Sequence, residues 1–217
     1  LMIQLPSGES VPYSIGSAPH ELPELTLYIL VNDTASLAFK VIEFLQSQTD
    51  ISIMVPGGDC HLASRSIGLC PFGGESLDSS LETVLLIAGG TGFSQMKSMY
   101  DSLVKQKFKG HIALYWGLRT PADIFLQEWL DHAQAEHTFT LEVIVNEPDD
   151  TWQGRSGWLY EAIQADHPDL SQSVAFISGS VGMVYGTMDQ LVANGLTQER
   201  CFSDVFAYAP RPESPQL

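Results

Sequence analysis

Apolar runs alternate with helical periodicity between residues 83 and 209, and this alternation is the strongest structural signal in the chain. Residues 84–88 are all apolar, which predicts a buried strand. A glycine-rich turn follows, and after it apolar side chains recur at helical spacing on one face: Phe93, Met96, Met99, Tyr100 and Leu103. The pattern therefore predicts a strand, a tight turn and a helix in succession.

The same alternation continues toward the carboxyl end. Strands are expected at residues 112–116, 139–145, 174–177 and 205–208. Helices are expected at residues 121–132, from near Trp158, and at 181–192. Because strands separated by helices are joined by right-handed crossovers, this region should form an α/β doubly wound parallel sheet with helices on both faces.

The first eighty residues have a different texture. Four prolines separate short alternating runs such as residues 25–31 and 51–55, a pattern typical of antiparallel β structure. Residues 36–46 interrupt it with helical spacing, and residues 68–80, rich in glycine and serine, predict a linker. We therefore expect two domains, residues 1–80 including the linker and residues 81–217.

Charge and cysteine content restrict the partners and the compartment. Ten Lys and Arg residues against 26 Asp and Glu residues give a formal charge of −16, which disfavours binding to nucleic acid and polybasic docking to membranes. No apolar run is long enough to span a bilayer. The three cysteines, Cys60, Cys70 and Cys201, lack metal-ligand spacing and favour reduced thiols in a cytoplasmic protein. The six histidines show no paired spacing, so we assign no metal site.

The turn formed by Gly89, Gly90, Thr91 and Gly92 is the first candidate site. Between a strand and a helix, its backbone N–H groups and the helix dipole can hold a phosphate. It matches neither G-x-G-x-x-G nor a P-loop. The glycines alone leave open whether the turn binds an anion or only requires positive φ.

Two further strand ends carry glycine and polar residues. Trp116, Gly117 and Arg119 end the second strand, where Arg119 can contact a dinucleotide phosphate or ribose, or simply pair with Asp123 at the surface. Gly179 follows the fourth strand. Because parallel strands end at one edge of a sheet, the three strand ends together favour a nucleotide cleft.

Four segments of the α/β region carry a family resemblance in their order and spacing: residues 85–94 (LLIAGGTGFS), 115–119 (YWGLR), 152–157 (WQGRSG) and 202–207 (FSDVFA). Together they resemble the bacterial NAD(P)H flavin oxidoreductases, found in luminous and enteric bacteria, within the ferredoxin reductase superfamily. Upstream, residues 11–14 (VPYS) resemble that superfamily's flavin-binding Arg-x-Tyr-Ser signature, and residues 55–58 (VPGG) resemble a loop that closes its barrel. The resemblance implies an N-terminal antiparallel β-barrel that holds flavin and a C-terminal NAD(P)H-binding domain.

The resemblance also implies roles for individual residues. Ser14 would donate a hydrogen bond near flavin N5, with Pro12 and Tyr13 beside the ring. Thr91 would border the nicotinamide, and its neighbours in the turn, with Phe93, would line the diphosphate and ring. Asp204 would lie near the reactive ends of both rings and position the carboxamide or assist protonation. The candidate catalytic residues are thus Ser14, Thr91 and Asp204. For each of them the alternative is that it serves only the local structure.

Two departures refine these expectations. Val11 replaces the signature arginine that helps hold a flavin diphosphate, which favours flavin as a substrate over tightly bound FAD. The family's first barrel strands would precede Leu1, so we expect an incomplete barrel. The expected activity is NAD(P)H-dependent reduction of free FMN, riboflavin or FAD, with release of reduced flavin to a monooxygenase such as a luciferase, or to ferric iron. The alternatives are a reductase component serving a separate ferredoxin or oxygenase, and a non-catalytic nucleotide-binding subunit.

Overall fold

Two β-sheets organise the chain in the computed structural model, which describes residues 1–55, 60–62, 81–135 and 139–211. The first is a three-stranded antiparallel sheet and the second is a six-stranded sheet. The expected linker at residues 68–80, most of the loop at 55–58, Cys70 and His137 lie outside the described residues. The domain boundary after residue 80 therefore stays a prediction.

The antiparallel sheet has its middle strand at the start of the chain. Strand β1 (Met2–Gln4) pairs with β2 (Ser10–Pro12) on one side and with β3 (Ile53–Met54) on the other. Helix α1 (Leu37–Ser47) packs on this sheet through Val41, and Ser36 caps it by accepting a 3.2 Å hydrogen bond from the Phe39 amide. The antiparallel texture and the helix are confirmed. Residues 25–31, expected as a strand, lie alongside without strand pairing.

The second sheet is parallel throughout, as the alternation predicted. Its order is β7-β6-β5-β4-β8-β9, and every neighbouring pair runs in the same direction. The strands are β4 (Thr83–Gly89), β5 (His111–Leu118), β6 (Thr140–Val145), β7 (Arg155–Ser156), β8 (Ser173–Ser178) and β9 (Cys201–Phe202). The helices are α2 (Phe93–Lys105), α3 (Gln127–Ala135), α4 (Leu159–Asp166), α5 (Val181–Ala193) and α6 (Val205–Tyr208).

The side chains of β4 alternate between two cores. Val84, Leu86 and Ala88 pack with α2 and α3, whereas Leu85 and Ile87 pack with α4, α5 and α6. All five are fully buried. A strand buried on both faces explains why the sequence shows a continuous apolar run here. Within the described residues, no helix is both long and apolar enough to cross a bilayer.

Two predicted elements are wrong. Residues 205–208 form helix α6, because local hydrogen bonds close it, including a 2.9 Å bond from the Ala209 amide to the Val205 carbonyl. The last strand is instead β9, which begins four residues before Val205 and pairs with β8. The helix expected at 121–132 is divided, because Asp123 caps a short 3₁₀ turn and Ile124 is extended before α3 begins.

Helix α2 joins the antiparallel module to the parallel sheet. The Lys97 ammonium, only 7% exposed, pairs with Asp101 at 2.7 Å and donates to the Gly16 carbonyl at 3.4 Å. Ser98 donates a 2.8 Å hydrogen bond to the Ser17 carbonyl. These bonds fix the segment after β2 against the first two turns of α2.

A close backbone approach requires glycine immediately before α2. A Cβ added to Gly92 would lie 2.3 Å from the Ser178 carbonyl oxygen at the end of β8. Because that oxygen belongs to the backbone of a buried strand, it cannot move aside cheaply. Gly92 therefore holds the turn against β8.

We expect Gly92→Ala to lower the free energy of unfolding by about 2 kcal/mol, since the new methyl group must displace backbone. Gly186→Ala is the matched control: it lies inside α5, a Cβ there meets nothing within 4 Å, and it should stabilise the chain by about 0.5–1 kcal/mol. Urea denaturation of both variants measures the difference. Equal stability of Gly92→Ala and the parent would contradict the assigned contact.

Candidate functional site

A cleft of about 1190 Å³ opens at the carboxyl end of the parallel sheet. Gly89 at the end of β4 and Gly117 near the end of β5 are paired in register, and both line it. The chain adds β5, β6 and β7 on one side of β4, then β8 and β9 on the other. The cleft therefore lies at the point where strand order reverses, which is where open α/β sheets bind ligands.

Two helices begin at this cleft. Gly90 adopts a φ of +53° in the turn that leads into α2, and Gly90 and Thr91 line the cleft. Helix α5 begins after Ser180, whose hydroxyl accepts a 3.3 Å hydrogen bond from the Met183 amide, and Ser180 also lines the cleft. Backbone N–H groups at helix starts favour anions, so this part of the cleft is suited to a diphosphate.

Two aromatic side chains at positions expected to contact a ligand lie in the core behind the turn, not in the cleft. Phe93 and Trp116 are fully buried and stack with ring centroids 4.0 Å apart. The Trp116 indole also donates a 2.9 Å hydrogen bond to the Gly90 carbonyl. This differs from the expectation that both side chains contact a cofactor: here they support the turn from the core.

Gly179 lies next to the cleft, and because it has no side chain its backbone can lie close to Gly89 and Met183. A Cβ added to it would lie 2.8 Å from the Met183 sulfur and 3.4 Å from the Gly89 nitrogen. The three glycine-bearing strand ends thus meet at one edge, as the sequence predicted.

Arg119 lines the cleft, but its partner is not the one expected. Its Nε lies 3.1 Å from Glu147 Oε2, while Asp123 accepts hydrogen bonds from Thr120. Because β5 and β6 are neighbours, the residues that follow them are brought together. The sequence does not reveal this pair, since 28 positions separate its members.

An aromatic wall closes one side of the cleft, with one ring from the N-terminal module and one from the α/β region, and the sequence pattern does not indicate it. Tyr28 and Phe125 both line the cleft, with ring centroids 5.4 Å apart. Gly16 allows this position, because a Cβ there would lie 2.4 Å from the Tyr28 ring. Burial raises the pKa of the Tyr28 hydroxyl above its usual range. Tyr28 lies in an alternating run of apolar and polar residues, and that pattern does not show which residues it contacts in the folded chain.

The flavin-signature residues lie outside this cleft lining. Pro12 ends β2 and is exposed, and Tyr13 and Ser14 follow it half-buried. Burial raises the pKa of the Tyr13 hydroxyl. Two residues beyond Ser14, the Gly16 carbonyl is the point at which this segment meets Lys97 of α2.

Asp204 meets the same helix at Gln95, two residues before Lys97. The Gln95 side-chain amide donates to Asp204 Oδ2 at 3.0 Å and to the Cys60 carbonyl at 2.9 Å. Burial raises the Asp204 pKa, and the bond from Gln95 opposes that rise. Asp204 and the segment just after Ser14 are thus both bonded to α2, through contacts that the sequence pattern does not indicate.

Two buried oxygens in this cluster have no partner within the described part of the chain. They are Asp204 Oδ1 and Gln95 Oε1. Both are acceptors, so a group that supplies N–H or O–H donors would satisfy them. The Cys60 thiol beside them is buried, which raises its pKa, and burial likewise raises the pKa of the Cys201 thiol to about 12. Both cysteines are free, as expected, and are poor nucleophiles.

Among the described residues, no group of three or more His, Cys, Asp or Glu side chains is arranged to hold a metal ion.

Comparison with known proteins agrees with this geometry. Residues 86–189 match the family model described as the oxidoreductase NAD-binding domain. The chain is 31% identical over 216 residues to an NAD(P)H-flavin reductase of Vibrio harveyi, covering 96% of this chain and 85% of that protein. It is 28% identical over 215 residues to reductase component 1 of the terephthalate 1,2-dioxygenase of a Comamonas species, covering 97% of this chain but only 59% of that protein.

Solved structures show the same architecture. The cytochrome b5 reductase domain of Ulva prolifera nitrate reductase superposes with a TM-score of 0.72 at 17% identity, covering 93% of this chain and 81% of that one. The two-domain, ferredoxin reductase-like fold is thereby confirmed. With the identity and coverage of the Vibrio relative, the chain belongs to the NAD(P)H-flavin reductase family.

Proposed function

We propose that this protein is an enzyme that oxidises a nicotinamide dinucleotide and reduces free flavin, which then leaves to a flavin-dependent monooxygenase or to ferric iron. The observation that carries the proposal is the glycine-lined cleft at the reversal point of the sheet. Asp204, bonded to Gln95 in the first turn of the helix that follows the glycine turn, adds to it. FMN, riboflavin and FAD are the candidate flavins, and NADH or NADPH is the reductant. We further propose that it acts in the cytoplasm, in keeping with its free buried thiols.

The cleft suits the dinucleotide. Gly90, Thr91 and Ser180 stand where two helices begin, and they would hold the diphosphate with backbone and hydroxyl donors. Thr91 would border the nicotinamide. The absence of a Cβ at Gly117 makes room for the Leu159 side chain, and a Cβ at Gly89 would contact Met183 at 3.4 Å; both of these side chains also line the cleft.

The unpartnered acceptors suit the reacting rings. Asp204 Oδ1 and Gln95 Oε1 require donors, and the nicotinamide carboxamide and the N–H groups of flavin are donors of that kind. Ser14 would supply a hydrogen-bond donor, its hydroxyl, to complement these acceptors. Pro12 and Tyr13 would flank the ring. Val11, at the place of the signature arginine, leaves the flavin diphosphate without that cation, which supports transient flavin binding.

When bound, the two cofactors supply hydride transfer from nicotinamide C4 to flavin N5. Ser14 would stabilise negative charge as it develops on the flavin, because a hydroxyl donor there would contribute more in the transition state than before it. Asp204, whose pKa burial raises, can hold a proton nearer to neutral pH than an exposed carboxyl. Gln95 positions Asp204 through its 3.0 Å bond.

A second candidate is direct electron transfer to an oxygenase or ferredoxin bound at the surface. The similarity to the reductase component of a dioxygenase favours it. Three cysteines are too few for the four thiolates of a plant-type iron–sulfur cluster, so this function would need a cluster held outside these 217 residues.

The activity itself is tested by mixing the purified protein with NADH or NADPH and each of FMN, FAD and riboflavin. We expect nicotinamide oxidation that depends on added flavin. If neither nucleotide is oxidised with any flavin, the proposed activity is wrong. If the protein retains FAD through gel filtration, flavin is a bound cofactor and not a released substrate.

Ser14→Ala should lower kcat at least about tenfold, equivalent to about 1.4 kcal/mol in the barrier, because the charge at the acceptor loses a donor. Ser7→Ala is the control, since Ser7 is an exposed turn serine of the same module that bonds Glu9. Steady-state kinetics with FMN measures both variants. Equal kcat for Ser14→Ala and Ser7→Ala would remove Ser14 from the mechanism.

The pH profile tests Asp204. If its protonated form assists turnover, kcat falls as the pH rises through a pKa above the ordinary carboxyl value near 4, and Asp204→Asn abolishes that fall. Gln95→Leu removes a bond that lowers the Asp204 pKa, so the fall should move to higher pH. A profile that is the same in all three proteins would exclude Asp204 as the titrating group.

A further inference from the structure

The cleft carries little positive charge. Among the described residues that line it, Arg119 is the single Lys or Arg side chain, and Asp123 lines the cleft close by. The whole chain has a formal charge of −16. A ligand with additional phosphate therefore depends strongly on Arg119.

Glu147 engages that arginine. Its Oε2 lies 3.1 Å from Arg119 Nε, and its backbone amide donates a 2.7 Å hydrogen bond to the Arg119 carbonyl. The backbone bond fixes the loop after β6 beside the loop after β5. The two side chains are 76% and 61% exposed, so the carboxylate is open to solvent beside Arg119, which lines the cleft.

The adenosine half of a dinucleotide would lie on this side of the cleft. Asp204, proposed above to act on the reacting rings, follows β9, and β8 and β9 lie on one side of β4. With the diphosphate on the turn after β4, the nicotinamide would extend toward the Asp204 side. The adenosine ribose would then extend toward β5 and β6, the strands that Arg119 and Glu147 follow.

NADH and NADPH differ only at that ribose. A 2′-phosphate carries about −1.5 to −2 charges at pH 7, as other phosphate monoesters do. That 2′-phosphate would meet the Glu147 carboxylate, and the nearby Arg119 guanidinium is already paired with this carboxylate. A free 2′-hydroxyl instead can donate a hydrogen bond to a carboxylate.

We propose that Glu147 is a specificity-determining residue that makes the enzyme prefer NADH to NADPH, by pairing with Arg119 and repelling a 2′-phosphate. This inference rests on the proposed function, because it requires that the cleft take a nicotinamide dinucleotide.

The test compares kcat/KM for NADH and NADPH, with FMN as acceptor, in the parent protein and in Glu147→Gln. The parent should favour NADH at least about tenfold, and Glu147→Gln should reduce that ratio by about tenfold, since one close charge interaction is removed and Arg119 is freed. Added KCl should also reduce the parent's ratio, because salt screens exposed charges. Calorimetric titration with NAD⁺ and NADP⁺ gives the same comparison without turnover.

Asp150→Asn is the matched control. It removes the same charge from the same exposed loop, but the Arg119 Nε is paired with Glu147 and not with Asp150, so the ratio should stay unchanged. A parent that uses both nucleotides equally, or prefers NADPH, overturns the inference, as does an equal ratio in Glu147→Gln and the parent. Binding without flavin-dependent oxidation would instead refute the proposed function, and the titrations would still decide the role of Glu147.

Discussion

The absence of a side chain at Gly92 is the constraint on which the site depends. It allows the turn after β4 to touch the end of β8, where an added Cβ would lie 2.3 Å from the Ser178 carbonyl oxygen. That contact fixes the start of α2 beside the start of α5, so two helix N-termini face one cleft. The buried stack of Phe93 on Trp116 holds the turn from the opposite side. The anion binding that we propose for the cleft would thus depend on backbone packing more than on cationic side chains.

Helix α2 then connects this turn to the rest of the molecule. Gln95 in its first turn holds Asp204 and the Cys60 carbonyl, and Lys97 and Ser98 in the next turn hold the segment that follows Ser14. Lys97 is buried with Asp101, whose pKa desolvation raises. Removing either partner of such a pair leaves an uncompensated charge. Chain segments from both ends of the sequence are therefore positioned by adjacent residues of a single helix.

The sequence predicted the features that local chemistry determines. The apolar run of β4, the glycine turn and the periodicity of α2 and α5 each follow from residues close in the chain, and all are confirmed. Residues 205–208 were misassigned because four apolar residues fit a short strand or a helical turn equally well, and only their local hydrogen bonds decide. The partner of Arg119, the role of Gln95 and the position of Tyr28 depend on contacts across 28 or more residues, or between modules, and no spacing rule encodes them.

The central claim is that electrons leave this enzyme on diffusing flavin. A dialysis membrane that retains protein tests it directly: the enzyme is confined with NADH and FMN on one side, under anaerobic conditions, and a ferric complex is placed on the other, with a flavin-free chamber as control. The account predicts that iron beyond the membrane is reduced only when both enzyme and flavin are present. Reduction of the iron only when it is mixed directly with the protein, independent of free flavin, would contradict it and would favour transfer by contact.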